Sequence, residues 1–140
     1  MTTAVAPSTR TYAGTDLRVL ILALASVAAA VVHAMVAPEH LRESVLYGAF
    51  FLGTTAAGLG YAAVVLTRPT TPVLVTGLVA NVSVIALWLF TRLVEVPVGP
   101  MAGETEAFGR LDVMASSAEL LCVLACAACL ARLRRGHVRI

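Results

Sequence analysis

The stretch VLVTGLVANVSVIALWLFTRLV, from Val73 to Val94, decides the fold. It holds one formal charge, Arg92, in 22 residues, and Pro72 and Pro97 flank it. An α-helix rises ~1.5 Å per residue, so ~20 apolar residues cross the ~30 Å hydrocarbon core of a bilayer. Lipid cannot satisfy unpaired backbone groups, so a run of this kind is read as a membrane-spanning helix.

Three further runs have the same character: Leu17 to Ala37, Val45 to Thr67 and Val113 to Ala131. Pro38 is expected to end the first. Arg68-Pro69-Thr70-Thr71-Pro72 divides the second from the third, and Pro97, Gly99, Pro100 and Gly103 fill the connection before the fourth. The apolar core of the first run exceeds the ~7–15 residues of a signal peptide, so it is read as a span. The expected fold is all-α, a four-transmembrane-helix antiparallel bundle. Residues 1–16 are expected to be a disordered polar N-terminus, 17–131 the transmembrane domain, and 132–140 a basic tail.

Composition agrees. Of 140 residues, 59% are hydrophobic and 13% charged, whereas a soluble domain has roughly a quarter of its residues charged. The net charge of +2 is too small to indicate nucleic acid as a partner. All ten basic residues are Arg. Arg10, Arg18, Arg68, Arg132, Arg134, Arg135 and Arg139 fall on one side of the four spans, and Arg42, Arg92 and Arg110 on the other. The positive-inside rule therefore places both termini in the cytoplasm of a plasma-membrane protein. Glu39, Glu43, Glu95, Glu104, Glu106 and Asp112 then lie at the outer face, where a water-accessible site is expected. The Arg132-Leu-Arg134-Arg135 segment reads as a topology signal and a contact for anionic lipid.

Small residues at intervals of four, Ser26-Ala30-Ala34 and Ala49-Gly53-Ala57, are expected to be helix-packing ridges. Cys122, Cys126 and Cys129 form one stripe of the fourth span and read as small buried hydrophobes. Neither exposure nor a basic neighbour marks them as reactive.

A few polar residues need more than packing. Glu119 lies seven positions inside the fourth span from Asp112, ~10 Å along the axis and on the same face. A carboxylate at that depth must be protonated, paired or turned to a wet cavity. A structural hydrogen bond and a place in a site both fit. Asn81, Trp88 and Arg92 share a face of the third span at spacings of seven and four. Asn81 suits an interhelical hydrogen bond, Trp88 an interfacial anchor, and Arg92 either a lipid head group or a pair with Asp112 or Glu119. His33, on a face with Ser26 and Ala30, precedes Glu39 and His40 at the mouth of the first span. His33, Glu39 and His40 have the chemistry of a metal site, and His with carboxylate also suits proton transfer. Glu104 and Glu106 suit the positive end of the fourth helix; alternatively, their loop folds over the bundle mouth and lends carboxylates to a site.

The segments Val36-Ala-Pro38-Glu39-His40, Ala86-Leu-Trp88 with Arg92, Pro97-Val-Gly99-Pro100, Gly103-Glu104-x-Glu106 and Asp112 through Glu119 resemble uncharacterised small four-span membrane proteins of high-GC Gram-positive bacteria. The resemblance covers nearly the whole chain from His33 onward. It implies the four-span layout and supplies no activity. By size and span count the chain also looks like the DoxX-like small membrane proteins.

Three functions remain in competition. The first is a non-enzymatic membrane protein that binds a small ligand or metal in an outward-facing pocket, or serves as an accessory subunit. Its expected ligand-binding residues are His33, Asn81, Trp88, Arg92, Glu104 and Glu119. The second is a membrane-embedded isomerase, cyclase or hydrolase acting on a lipid-soluble substrate, with His33, Asp112 and Glu119 as catalytic acid and base. The third, a transporter, ranks last, because no inverted repeat or broken helix supports it. Expected partners are the lipid bilayer and either a second copy of the chain or another membrane protein. No cofactor is specified by the residues.

Overall fold

A computed structural model of the chain describes residues 16–95, 97 and 102–137. The described residues form four α-helices and no strands. They are α1 (Leu17–Glu43), α2 (Val45–Thr67), α3 (Thr71–Leu93) and α4 (Arg110–His137). Each is long and apolar enough to cross a membrane. The expected disordered N-terminus falls outside the described residues except for Asp16, as do the end of the basic tail and most of the Pro- and Gly-rich loop.

The helix ends follow local chemistry. Asp16 caps α1, its carboxylate accepting from the Arg18 N–H at 3.2 Å. Pro72 sits in the first turn of α3, where its missing N–H is no loss. Asp112 occupies the first turn of α4, near the positive end of the helix dipole.

Three boundaries differ from expectation. Helix α1 does not stop at Pro38 but continues to Glu43. Pro38 forfeits one backbone hydrogen bond, and the helix resumes with its last N–H···O bond from Ser44 to His40 at 2.8 Å. Ser44 alone then joins α1 to α2, in extended conformation. Gly48 makes this reversal feasible, because a Cβ there would collide with the Leu41 side chain and lie 2.7 Å from the Leu41 Cα. At the other end of the chain, α4 runs through Arg132, Arg134 and Arg135, so the basic tail begins as helix. Glu104 and Glu106 precede α4, which starts only at Arg110, so they are not its first turn.

Helix α1 is the most buried and packs against both α2 and α4. Helix α4 also packs against α3, whereas α2 and α3 touch little. The ridge between α1 and α2 uses Ser26, Ala30, Thr55 and Gly58. The Ser26 hydroxyl donates to the Gly58 carbonyl at 2.9 Å, and a Cβ on Gly58 would lie 3.1 Å from the Ala30 Cβ. Ala49, Gly53 and Ala57 instead face away from the bundle, as does Ala34. The spacing of four found a face of α2, but the neighbour that α2 meets lies on its other side.

The bundle has two unlike halves. In the half holding the start of α1 and the end of α4, Leu22, Ala25, Val65, Leu74, Cys122 and Cys126 form a closed apolar core. All three cysteines are buried there with free thiols. The Tyr61 hydroxyl lies 3.3 Å from the Cys126 Sγ and occupies the space left by Gly77 on α3. Asp16 and Arg132 pair at the edge of this half at 2.5 Å. The other half, bounded by the Ser44 turn and the loop before α4, encloses a cavity.

Candidate functional site

The cavity measures about 440 Å³ and draws its walls from all four helices. Helix α1 contributes Val32, His33, Val36 and His40; α2 contributes Tyr47 and Phe51; α3 contributes Trp88 and Arg92; and α4 contributes Asp112, Ser116 and Glu119. Most of the wall is apolar, and the polar groups fall into two clusters.

His33 and Glu119 form the first cluster. The His33 Nε2 and Glu119 Oε1 lie 2.9 Å apart, with the side chains 8% and 3% exposed. Nearly three turns of α1 separate His33 from Glu43, and nine residues of α4 precede Glu119, so the pair sits well inside the helices. An unpaired carboxylate at this depth would cost several kcal/mol, and the imidazole offsets that cost by direct hydrogen bonding. With Glu119 ionised, Nε2 is the donor, and Nδ1 remains as the second ring nitrogen. The Phe51 ring packs against both His33 and His40, with ring centroids 5.7 and 4.2 Å apart.

Arg92 organises the second cluster. Its Nη1 reaches the Glu106 Oε2 at 2.7 Å, and its Nη2 donates to the Asp112 Oδ2 at 2.7 Å. Nη1 also donates to the Thr91 hydroxyl at 2.6 Å. The same Asp112 oxygen accepts from the Gly109 N–H at 3.2 Å. The Glu106 N–H donates to the Thr91 carbonyl at 3.1 Å, which pins the loop across the end of α3 by its backbone as well as its side chain. Trp88 is one turn below Arg92. Its ring lies 5.6 Å from the Arg92 Cζ, within cation–π range, and meets Phe108 edge-on at 5.7 Å.

Four buried polar atoms have no hydrogen-bond partner among the described residues: His33 Nδ1, Trp88 Nε1, Arg92 Nε and Glu119 Oε2. All four belong to residues that line this one cavity. Each such atom ordinarily costs ~1–3 kcal/mol when left unpaired in a protein interior. Their concentration around a single space marks it as a place for a molecule with complementary groups.

Of the candidate residues, His33, Trp88, Arg92, Asp112 and Glu119 line one cavity. Asn81 does not. Its amide donates to the Gly77 carbonyl of its own helix at 2.7 Å, ~10 Å below Trp88 along the axis. Glu104 is exposed and absent from the cavity wall; Glu106 takes the position facing Arg92. The expected metal set of His33, Glu39 and His40 does not assemble. Glu39 is exposed, the His40 Nδ1 bonds to the Val36 carbonyl at 2.9 Å, and no three His, Cys, Asp or Glu side chains among the described residues are placed to hold a metal ion. Tyr47, Phe50 and Phe51 were not foreseen, because nothing in the apolar run of α2 separates them from its outward-facing residues such as Leu52.

No protein-family model, curated protein or solved structure matches the chain.

Proposed function

We propose that this chain is a plasma-membrane protein with four antiparallel spans and both termini in the cytoplasm, and that it binds a lipophilic small molecule in an outward-facing intramembrane cavity. The observation behind the binding role is that four unpartnered buried polar atoms belong to residues lining one largely apolar space of about 440 Å³. Small-molecule sites have this composition, apolar walls with a few placed polar groups, and volumes of ~300–1,000 Å³. Contacts between Asp16 and Arg132, and between His33 and Glu119, support opposed directions for α1 and α4. The Arg distribution supports the orientation.

The test is retention of a bound molecule. Protein purified in mild detergent is extracted with organic solvent, and the extract is analysed by mass spectrometry. The wild type is expected to retain one class of small molecule in near-stoichiometric amount, and folded Glu119→Gln and His33→Ala variants much less. Equal recovery from all three proteins would rule the binding role out.

The His33–Glu119 geometry favours a second reading, a membrane-embedded isomerase, cyclase or hydrolase. A carboxylate that fixes one ring nitrogen and leaves the other without a partner is the arrangement of an oriented acid–base catalyst. In that case the extracted molecule would be chemically altered on incubation with wild-type protein and not with the His33→Ala variant.

A further inference from the structure

We propose that the ligand is an uncharged amphiphile bearing a hydroxyl and a carbonyl, of the monoacylglycerol type, and that it enters from the bilayer between α2 and α3. This rests on the binding role given above and names the class of molecule.

The route follows from helix packing. Helices α2 and α3 touch little, and both line the cavity. Leu46 and Phe50 on α2 and Leu87 and Phe90 on α3 line the cavity and are also exposed on the outer surface of the bundle. A residue that is at once lipid-facing and cavity-lining borders an opening. The slot between these two pairs therefore joins the cavity to the hydrocarbon, at a depth where an acyl chain lies.

The polar atoms select the head group. Trp88 Nε1 and Arg92 Nε each offer a hydrogen. Glu119 Oε2 accepts, and so does His33 Nδ1 when Nε2 carries the proton that bonds Glu119. A carbonyl oxygen satisfies the donors and a hydroxyl satisfies the acceptors. A quaternary ammonium could do neither.

Charge excludes anionic heads. Arg92 already faces two carboxylates, Glu106 and Asp112, each at 2.7 Å. The cluster is therefore one negative charge in excess before any ligand arrives, and Glu119 lies on the same cavity wall. A carboxylate or phosphate head would meet like charge in a poorly screened space. The volume fits a head group and part of one chain, and leaves the rest of the chain in lipid.

Trp88 is the single tryptophan of the chain and lines the cavity, so it reports on occupancy directly. Full-length protein is placed in phosphatidylcholine vesicles and titrated with a monoacylglycerol brominated across its acyl double bond. The parallel probes are the brominated fatty acid at neutral pH and brominated phosphatidylcholine. The brominated monoacylglycerol is expected to quench Trp88 saturably at a low mole fraction and to be displaced by its unbrominated form. The other two should quench only in proportion to their bulk content. Glu119→Gln, which keeps the shape of the side chain, should weaken the saturable phase about tenfold, and Gly53→Ala, on the lipid-facing side of α2, should not. Saturable quenching by the fatty acid alone would overturn the neutral head group and leave the binding role standing. Absence of saturable quenching by all three would overturn this inference; if a retained molecule is nevertheless extracted from the protein, the binding role survives it.

Discussion

His33 on α1 and Glu119 on α4 meet at 2.9 Å across 86 positions of sequence, and both are buried. The pair ties together the two most buried helices at the boundary between the closed core and the cavity. Removing one partner strands the other in an apolar interior. Glu119→Ala and His33→Ala should each lower unfolding stability in detergent, with a coupling energy of ~1–2 kcal/mol in a double-mutant cycle, the upper end for polar pairs between membrane helices. Glu119→Gln retains a hydrogen bond to the imidazole and should cost less than Glu119→Ala. Equal losses for Gln and Ala would mean that the hydrogen bond contributes nothing.

Arg92 holds the loop before α4 in place through Glu106 and Asp112. Its side chain is 8% exposed, so these contacts are weakly screened. Arg92→Ala should therefore free residues 102–109, raise their amide hydrogen exchange by at least tenfold and destabilise the protein by about 2–4 kcal/mol. Arg92→Lys should recover only part of this, since one ammonium replaces a planar fork. The measurement is hydrogen exchange read by mass spectrometry, with exchange in α2 as the internal control.

Gly48 and Gly53 lie five residues apart in α2 and predict opposite outcomes. A Cβ at Gly48 would collide with Leu41, including its backbone Cα at 2.7 Å, whereas a Cβ at Gly53 has nothing within 4 Å. Gly48→Ala should cost about 1–3 kcal/mol by overpacking the Ser44 turn. Gly53→Ala should be neutral or stabilise slightly, because alanine lowers the backbone entropy of the unfolded chain. Thermal unfolding of the two variants side by side checks this.

The orientation is tested with reporter fusions. A fluorescent protein fused after Ile140 should fluoresce and alkaline phosphatase fused there should be inactive, with the reverse for fusions within the loop at Gly103. An active phosphatase at the C-terminus would invert the bundle and place the cavity on the cytoplasmic side.

The four spans were legible because ~20 apolar residues between Pro and Gly breaks have one economical solution in lipid. The inward face of α4 was legible too, since Asp112, Glu119, Cys122, Cys126 and Cys129 keep a helical repeat along one side. What periodicity does not encode is the neighbour each face meets. Asn81 shares a stripe with Trp88 and Arg92 yet gives its amide to the Gly77 carbonyl of its own helix and does not line the cavity, and the Ala49-Gly53-Ala57 ridge faces outward because α2 approaches α1 through Thr55 and Gly58. The extension of α1 through Pro38 was hidden for a related reason. Proline penalises helix continuation locally, and the tight return at Ser44, made possible by Gly48, is a tertiary feature. Glu106 could be told from Glu104 only once the loop was seen to fold back on Thr91 and Arg92.

The most direct test of the cavity as a binding site is the indole N–H resonance of Trp88, a single signal because the chain has one tryptophan. Its Nε1 has no partner among the described residues. Isotopically labelled protein, delipidated and then returned to lipid nanodiscs containing the extracted molecule, should show this resonance shift on loading, with nuclear Overhauser contacts from the indole to the ligand. An indole resonance identical in the delipidated and loaded states, with contacts only to protein side chains, would contradict the account.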